Sequence, residues 1–236
     1  MMTIRGVLFD KDGTLIDMPG TWIPVYREML AELVTTEPSR IDVLMAKAGY
    51  DPVSGGVRAG TILASGTTRD LIDIWWPGLT KDEADAQMRV VDFDYRHLAA
   101  KHLKPLMVLE PVLEELRGQG FRLGVATNDT EHSARSHMTQ LGVADLFDII
   151  IGADSVARPK PAGDMIHAFA EATRLPPSAI AMVGDNPHDI ETARAGGAGL
   201  AIGVLSGNAA HEDIAHLADH TIESIAELPA LLRRLG

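Results

Sequence analysis

The sequence predicts an α/β fold, in which a doubly wound parallel sheet carries an α-helical segment inserted after its first strand. Two observations support this prediction. Across the second half of the chain, short apolar runs alternate with helix-like segments, which is the pattern of a parallel sheet covered by helices on both faces. Before that half lies a long stretch with helix-like segments and no convincing strand.

Short apolar runs are the predicted strands of the sheet. The first, residues 4–9, stops at a polar turn, as a buried parallel strand does when its carboxyl end delivers polar side chains. The other predicted strands are residues 121–126, 148–151, 179–183 and 200–204. The predicted helices between them are residues 111–119, 130–141, 162–173 and 189–195. This Rossmann-like order predicts right-handed connections.

The inserted stretch divides the chain into two predicted domains. Its predicted helices are residues 22–34, 40–48, 68–75 and a long one that begins at Thr80. Thr80 and Glu83 have the spacing of a capping box, which favours a helix start there. The predicted domains are a core of residues 1–18 and 104–236 and a helical domain of residues 19–103.

Composition and charge exclude several classes of protein. The chain has 236 residues, of which 46% are apolar and 23% charged, as in ordinary globular domains. Its formal net charge of -12 repels phosphate backbones, so we expect no nucleic-acid partner, although a local cation cluster can still bind a small anion. The absence of Cys excludes disulfides, thiolate metal sites and thiol nucleophiles.

The apolar runs are also short. None approaches the ~20 residues of a membrane span, and the first is too short for the apolar region of a signal peptide. We therefore expect a cytoplasmic protein that has no membrane partner and is a monomer or a homodimer.

Polar residues follow the predicted core strands, at the edge where open parallel sheets bind ligands. They are Asp10, Asp12 and Thr14 after the first strand, Thr127 and Asn128 after the second, Lys160 after the third, and Asp185 and Asp189 after the fourth. Carboxylates gathered in this way repel one another unless a hard cation lies among them, and Mg²⁺ prefers oxygen ligands. Such a set suits phosphoryl transfer through an aspartyl phosphate.

Four motifs carry a resemblance to a known family. Residues 7–17, VLFDKDGTLID, resemble the first motif of the haloacid dehalogenase superfamily of phosphohydrolases. Residues 127–128, 160–161 and 184–189 match its second, third and fourth motifs in order. The resemblance covers essentially the whole chain, including a helical cap after the first motif. This arrangement is similar to that of phosphoglycolate phosphatases and their sugar-phosphate relatives.

The resemblance implies a role for each motif residue. Asp10 is the nucleophile, and Asp12 protonates the leaving alcohol and then deprotonates the water that hydrolyses the aspartyl phosphate. The Thr127 hydroxyl and the backbone N–H of Asn128 hold phosphoryl oxygens. Lys160 neutralises charge on the nucleophile and on the phosphoryl group.

The resemblance also implies a metal site and shows one departure from the family pattern. Mg²⁺ is expected on Asp10, on the backbone carbonyl of Asp12 and on Asp185, with Asp189 as a ligand or a partner through water; Mn²⁺ fits the same oxygens. Lys11 stands where the family usually carries an apolar residue. A Lys11 side chain facing the entrance would add positive potential near the substrate.

The cap offers two candidate substrate-binding cations. Arg58 and Arg69 belong to a segment, residues 50–69, that is rich in Gly and Ser, and a cap can lower such a segment over the core site. They are expected either to meet a carboxylate or second anionic group of the substrate, or to pair on the surface with the nearby Asp51, Asp70 and Asp73. Trp75 and Trp76 are expected to pack inside the cap, and His188 to be a loop residue near the metal.

These features predict an Mg²⁺-dependent phosphatase that hydrolyses a small phosphorylated metabolite, with phosphoglycolate as the leading substrate. Two alternatives stay open. One is a sugar phosphomutase of the same superfamily, which would use the same Asp10 and Asp12. The other is a non-catalytic, metabolite-binding relative that kept the fold.

Overall fold

The protein is described here by a computed structural model that covers residues 3–33, 39–58, 60–207 and 210–236. The predicted end of the first cap helix, residue 34, and one residue of the Gly-rich segment, residue 59, lie outside this description.

The β-strands are β1 Gly6–Phe9, β2 Tyr50–Asp51, β3 Gly56–Val57, β4 Arg122–Ala126, β5 Ile149–Ile151, β6 Ile180–Gly184, β7 Leu200–Val204 and β8 His220–Ile222. The α-helices are α1 Met18–Leu33, α2 Ser39–Ala48, α3 Ile62–Ser65, α4 Thr68–Trp75, α5 Lys81–His102, α6 Glu110–Gly118, α7 Glu131–Gln140, α8 Asp164–Thr173, α9 Pro187–Gly196, α10 His211–Ile214 and α11 Leu228–Leu235.

The main sheet has six parallel strands in the order β5-β4-β1-β6-β7-β8. From β1 the chain moves outward through β4 to β5, and then returns to β6 on the other side of β1. The strand order therefore reverses at β1, which is where open α/β sheets form a ligand-binding crevice. The predicted α/β class and the doubly wound sheet are confirmed. The edge strand β8 is an addition, because its three-residue run HTI has no apolar pattern that identifies a strand.

Helices cover both faces of this sheet. In β1, Val7 and Phe9 face a cluster formed with α6, α7 and α11, whereas Leu8 faces a second cluster formed with α8, α9 and α10. All three side chains are fully buried. Because successive side chains of a strand point to opposite faces, a strand buried on both sides is apolar without interruption, as VLF is here.

The helices between the first and second core strands have an apolar cluster of their own. It contains Met29, Met45 and Trp75, all buried, together with residues of α1, α2, α4 and α5. The sequence analysis found no strand in this stretch, whereas β2 and β3 form a two-residue antiparallel ladder. A ladder this short has no alternation that periodicity can detect, and the turn at Gly55, with φ of 72°, makes it possible.

Among the described residues, no helix combines the length and the apolar character needed to cross a lipid bilayer.

The predicted capping box at the start of α5 is present. The Thr80 hydroxyl accepts from the Glu83 N–H at 3.4 Å, and the Glu83 carboxylate accepts from the Thr80 N–H at 2.8 Å. We expect Thr80→Ala to lower the free energy of unfolding by about 1 kcal/mol, because a helix N–H loses its acceptor. Thr80→Ser keeps that acceptor and should retain most of the stability. Urea unfolding of the three proteins tests this, and equal losses in both variants would contradict the role of the hydroxyl.

Candidate active site

Asp10 lies at the carboxyl end of β1, in the crevice where the strand order reverses. The backbone N–H of Asp10 donates to the carbonyl oxygen of Val183 in β6 at 2.8 Å, which holds the residue at the edge of the sheet. Its carboxylate is buried, and burial raises the pKa of Asp10 to about 6, with the nearby Lys160 opposing the rise. A group placed in this way needs positive charge beside it to remain ionised.

Lys160 supplies part of that charge from the loop after β5. Its ammonium donates to Asp10 Oδ1 at 2.5 Å and to Asp189 Oδ1 at 2.7 Å. Burial acts to lower the pKa of Lys160, and the two carboxylates outweigh that effect and raise it above its usual value. The ammonium therefore stays charged, and it fixes two carboxylates that lie 179 residues apart in the chain.

Three carboxylates form a cluster that suits a divalent cation. Asp10, Asp185 and Asp189 are all buried, and each offers an oxygen within 4.8 Å of the others. One ammonium cannot balance three carboxylates, and unbalanced buried charge is costly. An all-oxygen donor set of this kind fits Mg²⁺ or Mn²⁺.

Two glycines surround Asp185. Gly13 has a φ of 90°, and a Cβ built on it or on Gly207 would overlap the Asp185 carboxylate. The Ser206 hydroxyl donates to the carbonyl oxygen of Gly13 at 2.9 Å, so the loops after β1 and β7 close on Asp185 together. Only residues without a side chain let backbone approach this carboxylate so closely.

The Asp12 carboxylate contacts Lys11 and the inserted helix α1. Its Oδ1 accepts from Trp22 Nε1 of α1 at 2.5 Å, and its Oδ2 lies 2.6 Å from the Lys11 ammonium. The Lys11 side chain is fully buried, with its ammonium 3.3 Å from Asp129 Oδ2 and 4.8 Å from the centroid of the Trp22 ring. Burial lowers the pKa of Lys11, but the carboxylates of Asp12 and Asp129 outweigh burial and raise it.

The loops after β4 and β5 are joined by Asn128. Its side-chain oxygen accepts from the Lys160 N–H at 3.1 Å, and its amide nitrogen donates to the carbonyl oxygens of Lys160 at 3.2 Å and of Ser65 in the cap at 2.9 Å. Thr127 is buried beside it. Both residues line a cavity between core and cap, to which the cap contributes residues 62–66 and the aromatic side chains of Trp22, Tyr26 and Tyr95.

Comparison with known proteins identifies the family. Residues 4–197 match the family model described as haloacid dehalogenase-like hydrolase. The chain belongs to the haloacid dehalogenase-like hydrolase family. The resemblance of the four motifs is thereby confirmed, and the chain is a hydrolase.

Relatives and solved structures agree with this assignment. The chain is 30% identical to a phosphoglycolate phosphatase of Rhodospirillum rubrum over 220 residues, which cover 90% of this chain and 84% of the relative. It is 30% identical to an N-acetylmuramic acid 6-phosphate phosphatase of Pseudomonas putida over 199 residues, which cover 83% and 81% of the two chains. The fold is similar to that of CbbY from Rhodobacter sphaeroides, solved with phosphate, at a TM-score of 0.71 and 21% identity, covering 96% of each chain.

The structure brings most of the predicted site residues of this family member together. The side chains of Asp10, Asp185, Asp189 and Lys160 are in one cluster, and those residues, with Asp12, Thr127 and Asn128, line one cavity. The Lys11 side chain does not face the entrance, because its ammonium is buried between the carboxylates of Asp12 and Asp129.

The two cap arginines are not brought to this cavity. The Arg58 guanidinium donates to the carbonyl oxygen of Ala46 at 3.1 Å, and Arg69 pairs with Asp73 at 3.0 Å and with Asp85 at 3.2 Å. Neither arginine lines the cavity that contains Asp10. Each guanidinium instead contacts oxygen acceptors within the inserted helical segment. For Arg69, this is the surface pairing with a nearby aspartate that was the alternative expectation.

Three residues around the site are not predicted from the sequence: Trp22 and Asp129 hold the Asp12–Lys11 pair, and Gly207 lies against Asp185. His188, which was expected in a loop near the metal, lies in the first turn of α9 and lines the cavity. Burial and the charge of Lys160 lower the pKa of His188 to about 4, so its ring is neutral at neutral pH. Asp129 could have been found, because it directly follows the motif residues Thr127 and Asn128. Trp22 and Gly207 could not, because they contact site residues that are distant in sequence.

The closeness of Gly207 to Asp185 has a measurable consequence. We expect the methyl group of Gly207→Ala to push the Asp185 carboxylate out of the cluster. Displacing a metal ligand in this way should weaken binding of Mg²⁺ or Mn²⁺ by about tenfold or more. Gly118→Ala at the end of α6 adds the same methyl group where it meets nothing within 4 Å, and it serves as the control. Calorimetric titration with each metal measures the effect; unchanged affinity in Gly207→Ala would refute the role of this contact.

Proposed function

We propose that the protein is an Mg²⁺-dependent phosphatase that hydrolyses a small phosphomonoester through an aspartyl phosphate on Asp10. The observation that carries the proposal is the cluster of Asp10, Asp185, Asp189 and Lys160 at the point where the strand order reverses. The cluster offers a carboxylate nucleophile, oxygen ligands for a metal and a permanent cation, which together meet the needs of phosphoryl transfer.

In the first half of the reaction, a carboxylate oxygen of Asp10 attacks phosphorus. The bond from phosphorus to the substrate oxygen breaks, and the leaving oxygen takes a proton from Asp12. Lys160 stabilises the negative charge on the phosphoryl oxygens. Asp10, Asp185 and the Asp12 carbonyl would hold Mg²⁺, which would supply further positive charge. We assign the Thr127 hydroxyl and the backbone N–H of Asn128 to the same oxygens.

In the second half, water hydrolyses the aspartyl phosphate. Asp12, which is then a carboxylate, takes a proton from the water as its oxygen attacks phosphorus. The bond between phosphorus and Asp10 breaks, the electron pair returns to the Asp10 carboxylate, and phosphate leaves. We assign to Asp189 a place beside the metal, directly or through water, because it shares Lys160 with Asp10.

The helical residues 19–103 are proposed as a cap that covers this chemistry. Trp22 in α1 and Ser65 in α3 both contact core residues of the site, Asp12 and Asn128. The cavity that contains Asp10 is lined from this side by Trp22, Tyr26 and Leu63, among others, which supports exclusion of bulk water during the first half-reaction.

Phosphoglycolate is proposed as the leading substrate. The proposal is supported by the relatives named phosphoglycolate phosphatase, which match the chain along most of its length. N-acetylmuramic acid 6-phosphate is the second candidate, on the same kind of support. Arg58 and Arg69 lend no support to an anionic substrate, since both lie outside the cavity. A phosphomutase would use the same aspartates and differs in passing the phosphoryl group to a sugar.

A substrate panel tests the activity and the substrate together. We expect phosphate release from phosphoglycolate and other small phosphomonoesters with Mg²⁺, and loss of release when a chelator removes the metal. The highest kcat/KM identifies what the cap selects. Phosphate release at rates independent of the metal would contradict the metal assignment, and transfer between sugar phosphates without phosphate release would favour the mutase.

The nucleophile is tested by removing one carboxylate oxygen. Asp10→Asn should lower kcat by more than ~10³-fold, because an amide cannot form the aspartyl phosphate. Asp73→Asn is the matched control, since it makes the same change in an exposed partner of Arg69. Circular dichroism and thermal melting establish that both variants fold. Wild-type turnover in Asp10→Asn would refute the proposed nucleophile.

A further inference from the structure

Lys11 is a buried cation that the proposed reaction does not use. Its side chain is fully buried, although Lys is among the residues that are least often buried without a partner. It belongs to the loop between the proposed nucleophile Asp10 and the proposed proton carrier Asp12.

The Lys11 ammonium lies between two carboxylates. It is 2.6 Å from Asp12 Oδ2 and 3.3 Å from Asp129 Oδ2. The other oxygen of Asp12 accepts from Trp22 Nε1 at 2.5 Å. One oxygen of the Asp12 carboxylate is therefore held by a hydrogen bond from the cap residue Trp22, and the other by an ion pair with Lys11. Rotation of the carboxylate breaks at least one of these contacts.

The second proposed role of Asp12 depends on how its carboxylate is oriented. A carboxylate oxygen in contact with one donor still has lone pairs that can accept a proton. The Asp12 side chain is about one-fifth exposed and lines the cavity, so water can reach it. The contacts with Trp22 and Lys11 hold the carboxylate in one orientation at that cavity.

We infer that Lys11 is a positioning residue that, with Trp22, holds the Asp12 carboxylate as the base for hydrolysis of the aspartyl phosphate. The inference rests on the proposed function and adds a residue to it. Lys11 acts in the second half-reaction, in which the water oxygen bonds to phosphorus, its proton passes to Asp12, and the bond from phosphorus to Asp10 breaks. Without Lys11, the aspartyl phosphate forms but is hydrolysed slowly.

The double variant is chosen to keep the buried charge of the wild type. Lys11→Met alone leaves Asp12 and Asp129 close together without a cation between them, and this repulsion can unfold the loop. Lys11→Met/Asp129→Asn keeps the formal charge of the three positions at that of the wild type, one negative charge. Asp129→Asn alone keeps the contact between Lys11 and Asp12, so comparing the two variants isolates that contact.

The substrate is chosen to separate the two half-reactions. Nitrophenolate leaves 4-nitrophenyl phosphate without needing a proton, so formation of the aspartyl phosphate does not depend on Asp12 as an acid. Hydrolysis of the intermediate still needs Asp12 as a base. Rapid acid quench of reactions with substrate labelled in its phosphoryl group, in the presence of Mg²⁺, measures formation and decay of the aspartyl phosphate separately.

Relative to Asp129→Asn, we expect decay in Lys11→Met/Asp129→Asn to slow by about tenfold or more, with formation changed by less than about threefold. Because slow decay then limits turnover, steady-state kcat and KM should fall together, and nitrophenolate should appear in an initial burst. Equal slowing of formation and decay would indicate a merely structural role, and unchanged decay would indicate no role; both overturn the inference. If the wild type and Asp129→Asn form no aspartyl phosphate with Mg²⁺, the proposed function fails instead.

Discussion

The pairing of Lys160 with Asp10 and Asp189 is the interaction on which the site depends. Carboxylates buried at the end of a parallel sheet repel each other, and burial makes the repulsion stronger than it would be in water. One ammonium held 2.5 Å and 2.7 Å from two of them offsets part of this cost. The remaining negative charge is what makes the position attractive to a divalent cation and, through that cation, to a phosphoryl group.

Sheet topology explains how residues from distant parts of the chain reach this ammonium. Asp10 follows the central strand β1, while Thr127 and Asp185 follow its two neighbours, β4 and β6. The apolar residues of these strands are buried on both faces of the sheet, and the polar motif residues follow the carboxyl ends. Because the strands are parallel, these motif residues meet at one edge of the sheet.

The sequence predicted the features that depend on local pattern and failed on those that depend on side-chain direction. Five core strands, the capping box at Thr80 and the motif residues could be predicted because each leaves a periodicity or a spacing. The strand β8 and the β2–β3 ladder are too short to leave one. The inward turn of Lys11 and the contact between Gly207 and Asp185 join residues whose proximity follows only from the packed fold.

Asn128 connects the lysine loop and the inserted helices through separate hydrogen bonds. Its amide group forms two hydrogen bonds with the backbone of Lys160 and one with the carbonyl oxygen of Ser65 in α3. Loss of the bond to Ser65 alone would leave the two that fix the lysine loop. The position of the Lys160 ammonium therefore depends on the core loops rather than on α3.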